Sequence, residues 1–360
     1  MAPGVFTIPR GRRIPLSDNK YKFGALTVVM LVALRLTIGC HFFYEGVWKI
    51  NDDDFTVKPL LTAAKGPFAP LFHSMVPDLD GQVRLALTEE MVKTEDGEER
   101  RIVYSQVYLD AWSEAKDQFV AAHDLNETQT KEVDVLFTRY VESLQEYSEL
   151  NEEDIEAYLG ALTRLEERTA SGANRGKHEK KRLWDAKMKL RREADGFLSE
   201  LDAMGAEFCL GLWNVLEEPG TEGAAVKPQG AKPPKVVTAP EKLPVSIPCC
   251  DTQVEFLTLA ISYSLAAIGL CLLLGFCTRP ACIGGGLFLI TVLMNQPPWP
   301  SIYPPAPPVV GHSMIVDKNF VEMMAIFALA TIPVGRWAGL DYFCHHWIGR
   351  RICGFFSKKV

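Results

Sequence analysis

Several ionisable side chains lie inside long apolar stretches of this sequence, where a charge is costly without a partner. His41, Glu45 and Lys49 recur every four residues, so a helix would place them on one face. Glu322 occupies a similar stretch near the other end of the chain. A histidine beside carboxylates could move protons to or from a quinone, because imidazole titrates near neutral pH. The alternative interpretation is a satisfied polar network that only fixes helix packing.

Arg35 is the second unusual group in the first apolar stretch. It follows Gly24 by eleven residues, which corresponds to about 17 Å along a helix axis. We therefore expect it near the midplane of a bilayer, where a charge must face protein, a ligand or water. Arg35 could give electrostatic support to a bound ligand, or it could bond carbonyl groups between packed helices.

Four stretches have the apolar character of membrane-spanning helices, which need roughly 20 residues. They cover residues 24–48, 256–278, 280–296 and 320–337. The third is shorter and rich in glycine, which suits close packing against a neighbouring helix. The sequence therefore predicts an all-α membrane protein built on a bundle of four transmembrane helices.

Basic residues beside these stretches predict the orientation of the protein. Lys and Arg concentrate in residues 1–23, at Arg279 between the second and third stretches, and in the tail 344–360. Because basic flanks remain in the cytoplasm, we expect both termini there and residues 49–254 on the opposite side of the membrane.

In this topology, three helices bring polar side chains to one layer in the outer leaflet. We predict that His41, Glu45 and Glu322 are catalytic. Ligand binding is predicted for Arg35, Lys49, Asn295 and Asn319. A quinone is the candidate cofactor. No metal site is predicted, because the histidine and its carboxylates would need a further ligand.

The long segment after the first stretch is acidic. The chain has 38 Lys+Arg and 45 Asp+Glu, of which 13 and 6 lie outside residues 48–254, leaving 25 − 39 = −14 inside. This charge disfavours nucleic acid as a partner. Apolar residues at helical spacing predict a bundle of three or four helices within residues 49–216, and a turn at Asp96-Gly97 predicts a hairpin. Seven prolines in residues 217–254 predict an extended, solvated linker.

Two helix starts in this segment have capping signals. Asn126 is followed three residues later by Gln129, which predicts a capping box. Asn151 is followed in the same way by Asp154, which predicts a further helix start.

Three of the nine cysteines fall in the predicted outer part of the chain: Cys209, Cys249 and Cys250. An oxidising compartment would permit a disulfide from Cys209 to one of the adjacent pair. Such a bridge would tie the helical domain to the chain's return to the membrane, and the remaining thiol could exchange disulfides. Free thiols are the alternative. The sequence has no nucleotide-binding or hydrolase motif, so it predicts neither kind of chemistry.

Short motifs at the ends of the apolar stretches resemble those of the DoxX family of four-helix membrane proteins. They read RLTIGCHFFYEGVWK at 35–49, LLGFCTR at 273–279, NFVE at 319–322 and GRWAGLD at 335–341. The resemblance covers residues 24–50 and 255–343. The long insertion between these two parts departs from the family pattern, which has a short first loop.

The resemblance implies a four-helix fold in the cytoplasmic membrane of a bacterium. It also implies a subunit of a membrane redox system, because the family includes proteins similar to the small subunit of thiosulfate:quinone oxidoreductase. Such a protein would act with a quinone or a small sulfur compound and would need another membrane or envelope protein as its partner. The alternative function is a non-catalytic anchor whose acidic helical domain docks another envelope protein.

Overall fold

The computed structural model describes residues 23–52, 54–93, 99–171, 176–217, 225–228, 233–247, 250–299, 302–304, 315–343 and 346. Over these residues the chain is mostly helical, as predicted. Apolar helices from both ends of the sequence form one bundle. The residues between them form an acidic domain of helices and a short sheet.

The bundle consists of α1 (Ala25–Asn51), α8 (Gln253–Leu274), α9 (Thr278–Asn295) and α10 (Lys318–Thr331). All four contribute to a common core, which includes Phe42, Leu265, Leu289 and Ile326. Helices α1 and α8 are long and apolar enough to cross a membrane, whereas α9 and α10 have 18 and 14 residues. The structure thus confirms the helical class and shows two helices of membrane-spanning length.

The fourth predicted stretch, residues 320–337, is not one helix. Helix α10 ends at Thr331, and the short α11 (Val334–Trp337) follows Pro333. Proline cannot donate a backbone hydrogen bond and clashes with the preceding helical turn. The chain therefore changes direction here and brings α11 against α1.

Glycines allow α1 and α8 to pack with their backbones in contact. A Cβ atom at Gly46 would lie 2.3 Å from the nitrogen of Ala266, and one at Gly269 would lie 2.2 Å from the nitrogen of Phe43. Side chains larger than hydrogen would force the helices apart. Close approach through small residues is typical of helix pairs within membranes.

Among the residues that the structure describes, the acidic domain contains four long helices and a hairpin. They are α4 (Gln106–Ala122), α5 (Glu127–Leu150), α6 (Glu152–Ala170) and α7 (Lys177–Val215), with strands β1 (Leu87–Lys93) and β2 (Glu99–Ser105). Trp112 stacks on Phe208 in the core, with ring centroids 6.1 Å apart. The strands pair in antiparallel register, which confirms the predicted hairpin, although its Asp96-Gly97 turn lies outside the described residues.

Both predicted helix starts are present, and the first has the predicted capping box. The Asn126 side chain accepts a hydrogen bond from the Gln129 nitrogen at 2.8 Å, and the Gln129 side chain accepts one from the Asn126 nitrogen. Asn151 directly precedes α6, so the predicted helix start is confirmed, although no side-chain hydrogen bond of Asn151 caps that helix. The Asn151 amide donates to the Tyr147 carbonyl at 2.8 Å and so closes α5, because this single residue separates α5 from α6.

Two short helices join the acidic domain to the bundle. They are α2 (Lys58–Thr62) and α3 (Ala69–His73), whose apolar cluster packs on Leu257 of α8 and Met294 of α9. The Val57 nitrogen also donates to the Thr258 hydroxyl at 3.1 Å. This layer covers the bundle end at which α1 finishes and α8 begins.

The predicted linker, residues 217–254, is partly structured rather than solvated throughout. Strand β3 (Lys242–Ile247) pairs with β4 (Cys250–Thr252), which leads directly into α8. Glu241 accepts a hydrogen bond from the buried Arg84 guanidinium at 3.2 Å. Prolines prevent a helix here, but they leave enough backbone donors for strand pairing.

Candidate functional site

His41 of α1 and Glu322 of α10 meet across the bundle. Their Nε2 and Oε2 atoms are 3.9 Å apart, and their side chains are 57% and 22% exposed. The pair therefore lies at the bundle surface, not in its core. The structure brings together two of the three predicted catalytic residues, which are far apart in the sequence.

Glu45, the third predicted catalytic residue, lies one helical turn beyond His41 on α1. Its carboxylate accepts a hydrogen bond from Lys49 at 2.5 Å. The Lys49 ammonium also lies 5.5 Å and 5.3 Å from the ring centroids of Trp48 and Phe55. Because Glu45 and two aromatic rings hold Lys49 in place, its contacts explain its position without a ligand.

Lys318 was not among the predicted site residues. It precedes Glu322 by four residues on α10, and its charge acts on both Glu322 and Glu45. The four-residue spacing was the signal that could have identified it. We call His41, Glu45, Lys318 and Glu322 the α1–α10 cluster.

The α1–α10 cluster places two carboxylates, those of Glu45 and Glu322, beside the His41 imidazole and the Lys318 ammonium. At 3.9 Å, a small adjustment of either side chain would let His41 and Glu322 share a proton, because this distance is just beyond a hydrogen bond. Within the parts of the chain that the structure describes, no three His, Cys, Asp or Glu side chains come together to hold a metal ion. Proton exchange is the chemistry that this arrangement can support.

Asn319 contributes to the start of α10. Its amide donates to Asp317 at 3.3 Å, and Asp317 caps the helix by accepting from the Phe320 nitrogen at 2.8 Å. Asn319 is therefore near the α1–α10 cluster along the helix, but its hydrogen bond belongs to the cap.

Asn295 ends α9 on the side that faces the α2–α3 layer. Gly286 of α9 packs on Phe327 of α10, and counting residues from that contact puts Asn295 about 6 Å further along the axis than Glu322. The backbone carbonyl of Asn295 accepts from the Lys65 nitrogen at 2.9 Å. Its side-chain nitrogen and oxygen are buried, and neither has a hydrogen-bond partner among the described residues. No hydrogen bond therefore joins Asn295 to the cluster.

Arg35 lies beside the turn that joins α8 to α9, not at mid-depth between the bundle ends as expected. A Cβ atom on Gly275 would approach its Nη1 to 2.6 Å. The first turns of α1 extend beyond the α8–α9 turn, which is why counting from the helix start misplaced it. Arg35 is 2% exposed and donates to the carbonyls of Val334 at 3.4 Å and Ala338 at 2.7 Å. These contacts match the alternative in which Arg35 bonds carbonyl groups between packed helices and does not bind a ligand.

The other end of the chain closes the same turn. The Asp341 carboxylate accepts from the backbone nitrogens of Cys277 at 2.7 Å and Thr278 at 3.0 Å. The Asp341 nitrogen in turn donates to the Gly275 carbonyl at 2.8 Å, where Gly275 has a φ of +62°. An acidic group at a helix start satisfies free backbone donors and the helix dipole. The three sequence motifs that contain Arg35, Gly275 and Asp341 therefore meet at the turn that joins α8 to α9.

The predicted disulfide is not formed at Cys209. Cys209 is a buried free thiol, and burial raises its pKa to about 11, so it is protonated at neutral pH. Cys250 is buried on β4, and Cys249 lies outside the described residues. Disulfide exchange by the remaining thiol of the adjacent pair Cys249 and Cys250 stays a prediction.

Comparison with known proteins gives no match to a family model, a curated protein or a solved structure. Membership of the DoxX family therefore remains a prediction that rests on the sequence motifs.

Proposed function

We propose that this chain is a DoxX-like integral membrane protein that serves as a subunit of a membrane redox system. In this proposal α1, α8, α9 and the α10–α11 segment each cross the bilayer, with both termini in the cytoplasm. A quinone or a small sulfur compound is handled at the α1–α10 cluster. The observation that carries the proposal is the 3.9 Å approach of His41 and Glu322 on the outside of an apolar bundle.

The exterior of the bundle supports a membrane location. Large apolar side chains are exposed on several of its helices, including Leu26, Met30, Leu287, Val321 and Met324. Leaving apolar surface in water costs about 25 cal/mol per Å², and a continuous apolar exterior is unusual for a soluble protein. A surrounding bilayer removes that cost.

An exposed polar pair on such a surface suits a substrate that arrives through the lipid. A quinone dissolved in the bilayer can reach His41 from the side, without a channel through the protein. Reduction of a quinone to a quinol takes up two electrons and two protons, and His41 and Glu322 would deliver the protons. The electrons must come from a partner protein, because the sequence has no motif for a redox cofactor of its own.

The test is the quinone content of the purified protein. We expect quinone to co-purify with the wild-type chain in lipid nanodiscs, and we expect Glu322→Gln and His41→Gln to lose most of it. Glu255→Gln is the matched control, because Glu255 lies outside the cluster and glutamine can replace glutamate in its capping box. Full quinone occupancy in Glu322→Gln would contradict the proposal.

A membrane anchor is the second candidate function. It is favoured by the attachment of the acidic domain to the bundle through the α2–α3 layer and through β4, which continues into α8. An anchor must hold its docking domain in a defined position, and this attachment does so. Cross-linking of the full-length chain in cells would then capture an envelope protein through α5 and α6, while no quinone would co-purify. Failure to capture any partner would count against the anchor.

A further inference from the structure

A small cavity in the acidic domain contains basic groups that the proposed function does not use. It has a volume of about 230 Å³ and lies between α3, α6, α7 and the segment that follows α3. His73 ends α3, and Lys187 and Arg191 lie one turn apart on α7. All three line the cavity, together with Asp80 and Glu166.

The three basic residues have unused hydrogen-bonding capacity. Arg191 Nη2 and His73 Nε2 are buried, and neither has a hydrogen-bond partner among the described residues. Lys187 forms no hydrogen bond or ion pair with any residue that the structure describes. Buried polar groups without partners are rare in folded proteins, and each costs roughly 1–3 kcal/mol. Two such atoms, on Arg191 and His73, beside the half-buried ammonium of Lys187, indicate a missing ligand.

The acidic groups in the same cavity are already engaged. Asp80 accepts from Arg191 Nε at 2.8 Å, and Glu166 accepts from Gln82 at 2.9 Å. Asp78 also lines the cavity, and its carboxylate is bonded to Arg84. Each carboxylate thus has a partner, and the buried atoms left without one are a guanidinium nitrogen and an imidazole nitrogen, which favours an anion over a cation.

The pKa shifts of the basic groups in the cavity also favour a bound anion. Burial, followed by the charges of Arg191 and Lys187, lowers the pKa of His73 to about 4, against smaller opposing effects of the Thr62 carbonyl and Asp80. Burial and Arg191 also lower the pKa of Lys187, against Asp80 and Glu166. The basic groups thus repel one another, and a bound anion would relieve that repulsion.

We propose that this cavity binds a small tetrahedral oxyanion of the sulfate or phosphate type. Lys187 and Arg191 Nη2 donate hydrogen bonds to it. The His73 ring interacts with the Thr62 carbonyl, which leaves Nε2 to take up a proton and become the third donor. The site is independent of the α1–α10 cluster and of the quinone proposal.

The oxyanion could be a free ion or the phosphate of a lipid. The cavity shares Asp80, Glu166 and Lys187 with a neighbouring cavity of about 930 Å³, which is lined by Trp184, Trp299 and Tyr303. Aromatic residues of this kind are common where proteins meet lipid headgroups. Both sources present the same chemistry to Lys187 and Arg191.

The first experiment is calorimetric titration of sulfate into the full-length protein, freed of lipid in a neutral detergent. Sulfate does not titrate between pH 5 and pH 8, so any proton taken up belongs to the protein. We expect binding with proton uptake and an affinity that rises up to tenfold for each unit of falling pH. His73→Asn should abolish the proton uptake while its amide can still reach the Thr62 carbonyl.

Lys187→Met is the decisive variant. We expect it to weaken sulfate binding at least tenfold, with a melting temperature equal to or above that of the wild type, because it removes a half-buried charge that has no ion pair among the described residues. Lys180→Met is the control, since Lys180 lies on the same helix and lines only the neighbouring cavity. Phospholipid phosphorus that co-purifies with the wild type and not with Lys187→Met would identify a lipid source. If neither sulfate nor lipid phosphorus depends on Lys187, the proposal is overturned.

Discussion

The α8–α9 turn and the α1–α10 cluster both place ionisable side chains within an apolar bundle, and they do so in different ways. At the turn, Arg35 and Asp341 bond almost entirely to backbone atoms. At the cluster, His41 and Glu322 face each other across 3.9 Å and are partly exposed. Backbone partners fix a side chain in place, whereas a loose contact between two side chains leaves both able to exchange protons.

This difference separates residues that build the bundle from residues that could act on a ligand. Arg35 is the most unusual charge in the first apolar stretch, yet its guanidinium holds α11 and the following residues against α1. His41 is less unusual in sequence, and it is the group that remains accessible. A buried charge in an apolar helix can therefore be architectural when its partners are carbonyl groups.

The largest effect should come from removing the carboxylate at the turn. Asp341→Ala leaves two backbone donors at the start of α9 without a partner. It should lower the free energy of unfolding by about 3 kcal/mol, because hydrogen bonds to a charged group contribute roughly 1.5–3 kcal/mol each. Unfolding in mixed micelles measures the change. Asp317→Ala is the control, since it removes one capping bond to Phe320 and should cost about 1 kcal/mol. Equal losses of stability in the two variants would show that Asp341 contributes no more to stability than an ordinary helix cap does.

A paired substitution tests the comparison directly. Arg35→Met should destabilise the protein by about 2 kcal/mol, because the carbonyl of Ala338 loses its donor. His41→Gln should change stability by less than about 0.5 kcal/mol, since a partly exposed contact between two side chains 3.9 Å apart contributes little. The same micelle titration measures both. A large loss of stability in His41→Gln would mean that the cluster is also architectural.

Much of the fold could be predicted from periodicity and local signals. The apolar stretches became helices, the alternating residues around Asp96-Gly97 became a hairpin, and Asn126 with Gln129 became a capping box. These features depend on neighbours within a few residues of one another. Asn151 also precedes a helix as predicted, but its side chain closes α5 instead, because one residue both ends a helix and precedes the next and the sequence does not show which end its side chain serves.

The placement of site residues was harder to predict, because depth in the bundle depends on where helices begin relative to one another. His41 and Glu322 were predicted to meet, and they do. Arg35 was expected at mid-depth, but α1 extends beyond the turn beside which Arg35 lies. Asn295 was expected in the same layer as Glu322, but α9 carries it about one turn further. An error of a few residues in a helix start moves a side chain by a full turn, or roughly 5 Å.

His73 extends the comparison to pH. The pKa of His73 is about 4 in the folded protein, below the ordinary value of 6.5, because burial and nearby cations disfavour its charged form. The unfolded chain therefore binds more protons between pH 4 and pH 6.5, so the contribution of His73 to stability is complete above pH 6.5 and is lost as the pH falls to 4. We expect a loss of about 1–2 kcal/mol across this window, allowing for partial solvent screening.

The measurement is the free energy of unfolding at several pH values for the wild type and for His73→Asn. The difference between the two should shrink as the pH falls, because the variant lacks the titrating group. A difference that stays constant from pH 4 to pH 6.5 would show that His73 does not titrate in this window.

The smallest effect should come from the ion pair beside the cluster. Glu45 and Lys49 lie four residues apart on α1, and pairs of this kind stabilise a helix by about 0.3–0.5 kcal/mol. Glu45→Gln should therefore cost no more than about 0.5 kcal/mol, since Lys49 retains its contacts with the Trp48 and Phe55 rings. Quinone retention would be measured on the same sample. A variant that keeps its stability and loses quinone would assign Glu45 to the ligand site, whereas one that loses stability and keeps quinone would group Glu45 with Arg35 and Asp341 as a residue that builds the bundle.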